Sequence, residues 1–391
     1  MKKTMRIVCA VMAVLMMVTV LTACQSSKAT NYAANNTEFV IGLTGPLTGN
    51  AAIYGIAVAN SAQLAVDEIN ATGGLNGVKF KLMMLDDKHD TSTIASNFAT
   101  LLEAGMQVSL GTVTSAPCLE FKTYAKEENV FFLTPSASSD DVPEFDNGYQ
   151  MCFADGNQGK VAADFVNQTC AGKTIGVFYK ADENYSKGIY DQFKANLDAS
   201  VKTIETSFND STATDFSVQI DTLKECDFIF MPIYYQPASL FMTQAKGIIA
   251  DNAVYYGCDG LDGLSSMEGF DITAIPQEIS MLSQFNSKAT EGASAEFIQK
   301  YVAKYGADTL NQFGASAYDC VYAIYGAMKK AAEANPSSIS VTMSASDLCD
   351  ILKAQFAGGY TTSGVTGVTI SWDTNGYVNK TAVKYILKEA D

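Results

Sequence analysis

The sequence predicts an α/β protein made of two doubly wound parallel-sheet lobes. Two features carry that expectation. Apolar strand-like runs alternate with amphipathic helical segments, and the alternating series occurs twice in tandem. Length agrees with it: 391 residues, 48% hydrophobic and 17% charged, suffice for two domains of ordinary size.

The first series opens with "EFVIGLTGPL", a strand ended by Gly and Pro. The helix that follows shows Ile53, Ile56, Ala57, Leu64, Ala65 and Ile69 at helical spacing and stops at Gly73-Gly74. "VKFKLMMLDD" is a strand. "TSTIASNFATLLEAG" is a helix with Thr91 or Ser92 as its cap and Gly105 at its end. "MQVSLGTV" is a strand, "SAPCLEFKTYAKEEN" a helix with Pro117 in its first turn, and "VFFLTPS" a strand. The second series begins near 156 with the helix "GKVAADFVNQTC". Strands "TIGVFYK", "VKTIETSF", "DFIFMPIY" and "AVYYGCDG" then alternate with helices "SKGIYDQFKANLDA", "DFSVQIDTLKEC" and "PASLFMTQAKGIIA". Past 279 come strand "ISMLSQF", helices near 291–305, 313–334 and 345–357, and a turn-rich end with a hairpin around Thr374-Asn375-Gly376.

The first residues lie outside this pattern. Lys2, Lys3 and Arg6 precede an apolar run at 7–20 that is too short to span a membrane comfortably. "LTAC", Leu21 to Cys24, resembles the lipobox of bacterial lipoproteins. That resemblance implies a signal peptide over 1–23, cleavage before Cys24 and a lipid on its sulfur, with the polar stretch to residue 37 as a tether. The mature protein would then be anchored outside the cytoplasm, on the membrane.

Composition excludes several functions. Loss of Lys2, Lys3 and Arg6 takes the formal charge from −16 to −19, which disfavours nucleic acid and anionic surfaces. Arg6 is the only Arg and His89 the only His. A Ser-His-Asp triad or a His-rich metal site has almost no raw material, so neither an enzyme, a metal nor a cofactor is expected. The lack of a GxSxG elbow argues in the same direction against an exported hydrolase. Without Arg, a ligand carboxylate must be held by Lys, hydroxyls or backbone N–H groups. The seven Cys from 118 onward are scattered and read mostly as buried thiols, with room for one unassigned bridge.

In open α/β sheets ligands bind beyond the carboxyl ends of the strands. Those ends are "TGPLTGNAAIYG", "GTVTSAP" and "TPSASS" in the first lobe, and "YKADENYSKG", "PIYYQPAS" and "GCDGLDG" in the second. Hydroxyls and backbone amides dominate the first set, with Ser115 at a helix N-terminus and Ser138 on the next strand end forming an anion cradle. Tyr185, Tyr234, Tyr235, Asp259 and Asp262 dominate the second, where an Asp among Tyr hydroxyls suits an ammonium. One lobe for a carboxylate and one for an amine describes a receptor for a free amino acid. Plainer readings stand beside this one. Ser115 also reads as an N-cap, Ser136 and Ser138 as turn formers, Tyr234 and Tyr235 as surface aromatics, and Asp259 as a turn or cap residue. His89, in "DDKHDTS", reads as a solvated loop residue.

Taken in order, "IGLTGPLTGNAAIYG", "AVDEINATGGLNGVKFKLMMLDDKHD", "LGTVTSAP", "FFLTPSAS", "YGCDG" and "ISWDTNGYV" resemble the type I periplasmic binding proteins, in the Leu/Ile/Val-binding group that serves ABC importers of branched-chain amino acids. The resemblance spans roughly residues 38–391. It implies that Ser115, Ser136 and Ser138 receive the ligand carboxylate, that Asp259 pairs with the ammonium, and that Tyr185 and Tyr234 close over the amine. It places Tyr54 at the cleft mouth, Phe313 on the pocket wall, and Val113 and Thr114 along the side-chain subsite. It also implies three strands crossing between the lobes near 154–156, 284–286 and 379–381. The lobes would then be 38–154 with 286–379, and 155–285 with 380–391. Some relatives carry a disulfide between the loops after the second and third strands; His89 and Thr114 stand there in this chain. The function implied is a monomeric binding lipoprotein, not an enzyme, that delivers a neutral aliphatic or aromatic amino acid to an ABC permease. The alternative is a sensory binding lipoprotein that presents an amino acid, amide or aromatic ligand to a membrane receptor.

Overall fold

The computed structural model describes residues 30–390; the expected signal peptide and the lipidation site at Cys24 lie outside the described residues. Strand β1 (Phe39–Gly45) is buried along its whole length, as a central parallel strand covered on both faces must be. It pairs in parallel with β2 (Phe80–Asp86) on one side and β3 (Val108–Ser109) on the other. β4 (Phe132–Thr134) and β5 (Gly148–Gln150) extend the sheet, giving the order β2-β1-β3-β4-β5. The strand β5 is absent from the sequence reading. Three residues without alternation leave no periodic signal.

The second sheet contains β6 (Ile175–Lys180), β7 (Thr203–Phe208), β8 (Phe228–Met231), β9 (Val254–Gly257) and β10 (Glu278–Ser283). A short antiparallel pair, β11 (Thr361–Thr362) and β12 (Ile370–Ser371), stands apart, and β13 (Val383–Lys388) returns to the second sheet. The order there is β13-β10-β9-β8-β6-β7, parallel throughout except that β13 runs antiparallel to β10. The protein is thus a two-lobed α/β structure. The expected hairpin closes through a bridge between Trp372 and Val378, and Asp373 accepts the Asn375 and Tyr377 amides inside the turn.

In each sheet the chain first steps one way and then the other. The reversals fall between β1 and β3, and between β6 and β8. At such a switch point two loops diverge from neighbouring strand ends and leave a crevice between them.

Helices cover the sheets where the periodic pattern places them. Ala52–Ala71 packs along Gln312–Ala334, and the Tyr318 and Tyr322 hydroxyls both donate to Glu68 on the facing helix. Asp155–Thr169 packs on Asn184–Asn196 so closely that a Cβ at Gly159 would lie 2.6 Å from the Ile189 carbonyl. Only glycine fits at that crossing.

Two details differ from the sequence reading. The helix Ser115–Glu127 has Thr114, not Ser115, at its N-cap position, so Ser115 is the first helical residue. Asp90, one residue before Thr91, caps the short turn Thr91–Thr93 by accepting the Ser92 amide. The seven cysteines among the described residues are all buried free thiols, so no bridge staples the fold.

Candidate functional site

The first-lobe strand ends are held together by their own hydroxyls. Ser136 donates to the Val113 carbonyl at 2.6 Å, and Thr134 donates to the Thr112 carbonyl at 2.7 Å. Thr112 donates to the Thr114 carbonyl at 3.0 Å, and the Ser115 hydroxyl accepts the Ser139 amide at 3.2 Å. Val113, Thr114, Ser115, Ser136 and Ser138 are therefore buried side by side. The loop after β3 and the loop after β4 meet at the N-terminus of Ser115–Glu127, where free amides and the positive end of the helix dipole favour an anion.

His89 corrects the sequence reading. It is half-buried, and its Nδ1 lies 2.9 Å from the Thr114 hydroxyl. Its ring meets Tyr234 edge-on at 5.5 Å. A hydrogen bond thus joins the loop after β2 to the loop after β3. Burial, and then the nearby Lys180, hold the imidazole pKa below its ordinary value.

The second-lobe strand ends supply an acid in an aromatic cage. Asp259 opens a short turn after β9 and is 2% exposed. Its Oδ1 accepts the Tyr185 hydroxyl at 2.8 Å, and its amide donates to Gln158 at 3.0 Å. Burial pushes its pKa up to about 7, against the lowering effect of Tyr185 and Gln158, while Asp262 adds to the rise. The Tyr185 ring stacks on Tyr234 at 4.6 Å, 10° from parallel. Neither Tyr234 nor Tyr235 is a surface aromatic.

The two halves touch through Tyr54. It is 1% exposed. Its hydroxyl donates to the Gly260 carbonyl and accepts the Tyr235 amide at 3.3 Å. Its ring lies 4.8 Å from Phe313 and 5.7 Å from Tyr234. Gly260 also donates its amide to Tyr185 at 2.8 Å, and a Cβ there would stand 2.7 Å from that hydroxyl. A second bond across the same boundary runs from the Gln312 amide to Asp262, at 2.8 Å.

Asp155 lies outside the sequence-derived site. It follows β5, the strand with no sequence signal, so no strand end marks it in the amino-acid order. The residue is 1% exposed, and its carboxylate has no close hydrogen bond apart from the nearby Ser138 hydroxyl. Burial drives its pKa well above the ordinary range; the Ser138 hydroxyl acts in the opposite direction, and Asp259, Asp140 and Glu183 reinforce the rise. Among the described residues no group of three or more His, Cys, Asp or Glu could hold a metal.

Comparisons with known proteins agree with this fold. A family model described as "Periplasmic binding protein" matches residues 38–371. The Leu/Ile/Val-binding protein BraC3 of Rhizobium johnstonii is 32% identical over 231 residues, 57% of this chain and 62% of that one. The chain thus covers less than two thirds of that relative. The leucine-, isoleucine-, valine-, threonine-, and alanine-binding protein of Pseudomonas aeruginosa is 28% identical over 315 residues, 78% of this chain and 82% of that one. Among solved structures, LivJ of Streptococcus pneumoniae in complex with isoleucine superposes with a TM-score of 0.72 at 25% identity, covering 89% of this chain and all of that one. The leucine binding protein LivK of Thermotoga maritima superposes at 0.76 with 23% identity, covering 90% and 95%.

Proposed function

The chain belongs to the periplasmic binding protein family, and on that footing we propose that it is an extracytoplasmic receptor that captures a free amino acid between its lobes and delivers it to an ABC importer. One observation carries the reading. A buried Asp259 bonds Tyr185, whose ring stacks on Tyr234, and His89 links Tyr234 to Thr114 at the N-terminus of the helix that begins at Ser115. An acid on one side and a dipole with hydroxyls on the other match the ammonium and carboxylate of an amino acid. The relatives that bind leucine, isoleucine and valine support the same class.

In this reading the ligand first meets Ser115, Ser136 and Ser138. The second lobe then closes, bringing Asp259, Tyr185 and Tyr234 to the amine. Tyr54, Val113, Thr114 and Phe313 surround a neutral aliphatic or aromatic side chain. Closure turns about crossings near 154–156, 284–286 and 379–381. Lys380 and Gln284, which bond the Met151 carbonyl at 2.8 Å and the Ser316 hydroxyl at 2.7 Å, are compatible with those positions. Contacts made only on closure favour the closed form, which is the form a permease distinguishes. The protein performs no covalent chemistry, acts as a monomer, and is held at the membrane by a lipid on Cys24.

Calorimetric titration of residues 25–391 against the common amino acids tests the proposal. Saturable binding of one or a few neutral amino acids is the expected result. Absence of binding across the whole set rejects it.

A further inference from the structure

We propose that the cavity bordered by His89 and Tyr234 receives the side chain of the bound amino acid and selects an aromatic ring over a side chain of leucine's size. The inference rests on the function proposed above and narrows its ligand from neutral aliphatic or aromatic to aromatic.

The cavity measures about 640 Å³, and strand ends of both sheets frame it. From the first sheet, Ala51 follows β1 and His89 follows β2. From the second, Phe208 ends β7, Tyr234 follows β8, and Met267 lies between β9 and β10. Space beyond the carboxyl ends of parallel strands is where such sheets take ligands.

Two of its walls also belong to the candidate site. His89 bonds Thr114 at 2.9 Å, at the N-terminus of the helix that begins at Ser115. Tyr234 stacks on Tyr185, whose hydroxyl donates to Asp259. The cavity is therefore joined by side chains in contact to both ends of the proposed amino-acid site. Tyr54, Val113, Thr114 and Phe313, which surround a side chain of leucine's size in that reading, do not line it. It continues the side-chain subsite past them.

The partition between the two spaces can open at His89. Lys88 and His89 are successive non-glycine residues in the left-handed region, at φ 56° and 61°, a conformation kept where the surroundings enforce it. Asp86 accepts the Lys88 amide at 3.0 Å, and Asp87 accepts the His89 amide at 2.9 Å. These bonds hold the backbone. The imidazole meets Tyr234 edge-on at 5.5 Å, so a longer side chain enters by turning it aside. That rotation gives up the bond to Thr114 and leaves the backbone bonds in place.

The lining suits a neutral ring. Phe208 and Phe270 offer aromatic surface and Met267 a sulfur, and rings pair favourably with both. The charges cancel: Lys180 is paired with Asp210 at 2.6 Å, so a charged side chain finds no free counterpart there. Mostly apolar pockets of about 300–1,000 Å³ accommodate small organic groups. A leucine side chain leaves this one to water, whereas a ring removes apolar wall from water.

Calorimetry on residues 25–391 with L-leucine and L-phenylalanine tests the inference. Phenylalanine should bind about tenfold or more tightly than leucine, with a more negative heat-capacity change from the added apolar burial. Leu240→Trp and Ala213→Phe fill the cavity from separate segments, the helix Tyr235–Gln244 and the stretch after β7. Each should weaken phenylalanine about tenfold or more and keep leucine within about twofold, which also shows that the variant is folded. Where a variant fails to fold, the affinity order and heat capacities of the unmodified protein decide. Leucine binding more tightly than phenylalanine, or a folded variant that loses both ligands equally, overturns the inference and leaves the proposed function standing. So does phenol that binds the phenylalanine-saturated protein and is lost in both variants, since the cavity is then still empty. If no amino acid binds, the inference and the proposed function fall together.

Discussion

The two strand-end surfaces that face each other in this protein solve the polar-group problem in opposite ways. On the first lobe nearly every hydroxyl is already engaged: Ser136 with the Val113 carbonyl, Thr134 with Thr112, Ser115 with the Ser139 amide. On that side the hydroxyls are committed to neighbouring backbone groups. On the second lobe and at the crossover the acids are under-compensated. Asp259 has one hydroxyl donor, and Asp155 has only the nearby Ser138 hydroxyl. In the proposed function the carboxylate meets the side whose hydroxyls are already bonded, and the ammonium meets the side whose acids are not.

The comparison is most exposed to breaking at Asp259. Removing one partner of a buried charge pair costs about 2–5 kcal/mol, roughly 30-fold or more in Kd. Asp259→Ala should therefore weaken leucine at least about 30-fold while sparing the 2-hydroxy analogue. An equal loss for both compounds would show that the acid supports the fold and not the amine.

Ser115→Ala probes the other side. A hydrogen bond to a charged group is worth about 1.5–3 kcal/mol, roughly tenfold or more. Leucine and its hydroxy analogue should both weaken by about that factor, and leucinamide, which lacks the carboxylate, should not. If leucinamide suffers equally, the loss lies in the loop bond to Ser139.

Solution pH sharpens the contrast without mutation. Asp259 is raised to about 7, so it becomes increasingly protonated as pH falls below that value. Only the ionised form pairs with an ammonium, so leucine affinity should rise with pH through about 7 and be about tenfold weaker at pH 6 than at pH 8. The groups that shape this titration are Tyr185, Gln158, Asp262 and the Gly260 amide. Asp259→Asn should flatten the profile. The ligand-free fold has the opposite slope. An acid raised from 3.8 to about 7 is favoured protonated in the folded state, so its contribution to stability declines as pH climbs from about 4 to 7. Melting temperatures measured with and without leucine should therefore separate as pH rises.

The smallest effect is expected at the bridge between the two sides. Tyr54→Phe keeps the ring contacts with Phe313 and Tyr234 but removes the hydroxyl shared by Gly260 and Tyr235. A net loss of about 0.5–1.5 kcal/mol should appear in Kd, roughly twofold to tenfold. An unchanged Kd would mean that the bond is incidental to closure.

Much of this architecture is legible in the amino-acid order, because it depends on local patterns. Apolar runs such as Phe39–Gly45 and Phe228–Met231 make buried parallel strands whatever surrounds them, and 3.6-residue periodicity places the helices within a few residues of their observed ends. The rule that ligands meet strand ends then offers Ser115, Ser138, Tyr185, Tyr234, Tyr235, Asp259 and Asp262 as candidates from sequence alone. It does not reach Asp155, because the strand before it is three residues long, below the length at which alternation can be read.

Tertiary structure decided which polar groups were left over. The bonds that settle this join distant segments: Asp259 to Gln158 across 101 residues, Tyr54 to Gly260 across 206. No window of sequence contains both partners. His89 shows the same limit, since its neighbours read as a solvated loop and only folding brings it against Thr114 and Tyr234. The identity of a residue bounds the bonds it can make, but burial and pairing decide whether it makes them, and those are properties of the packed chain.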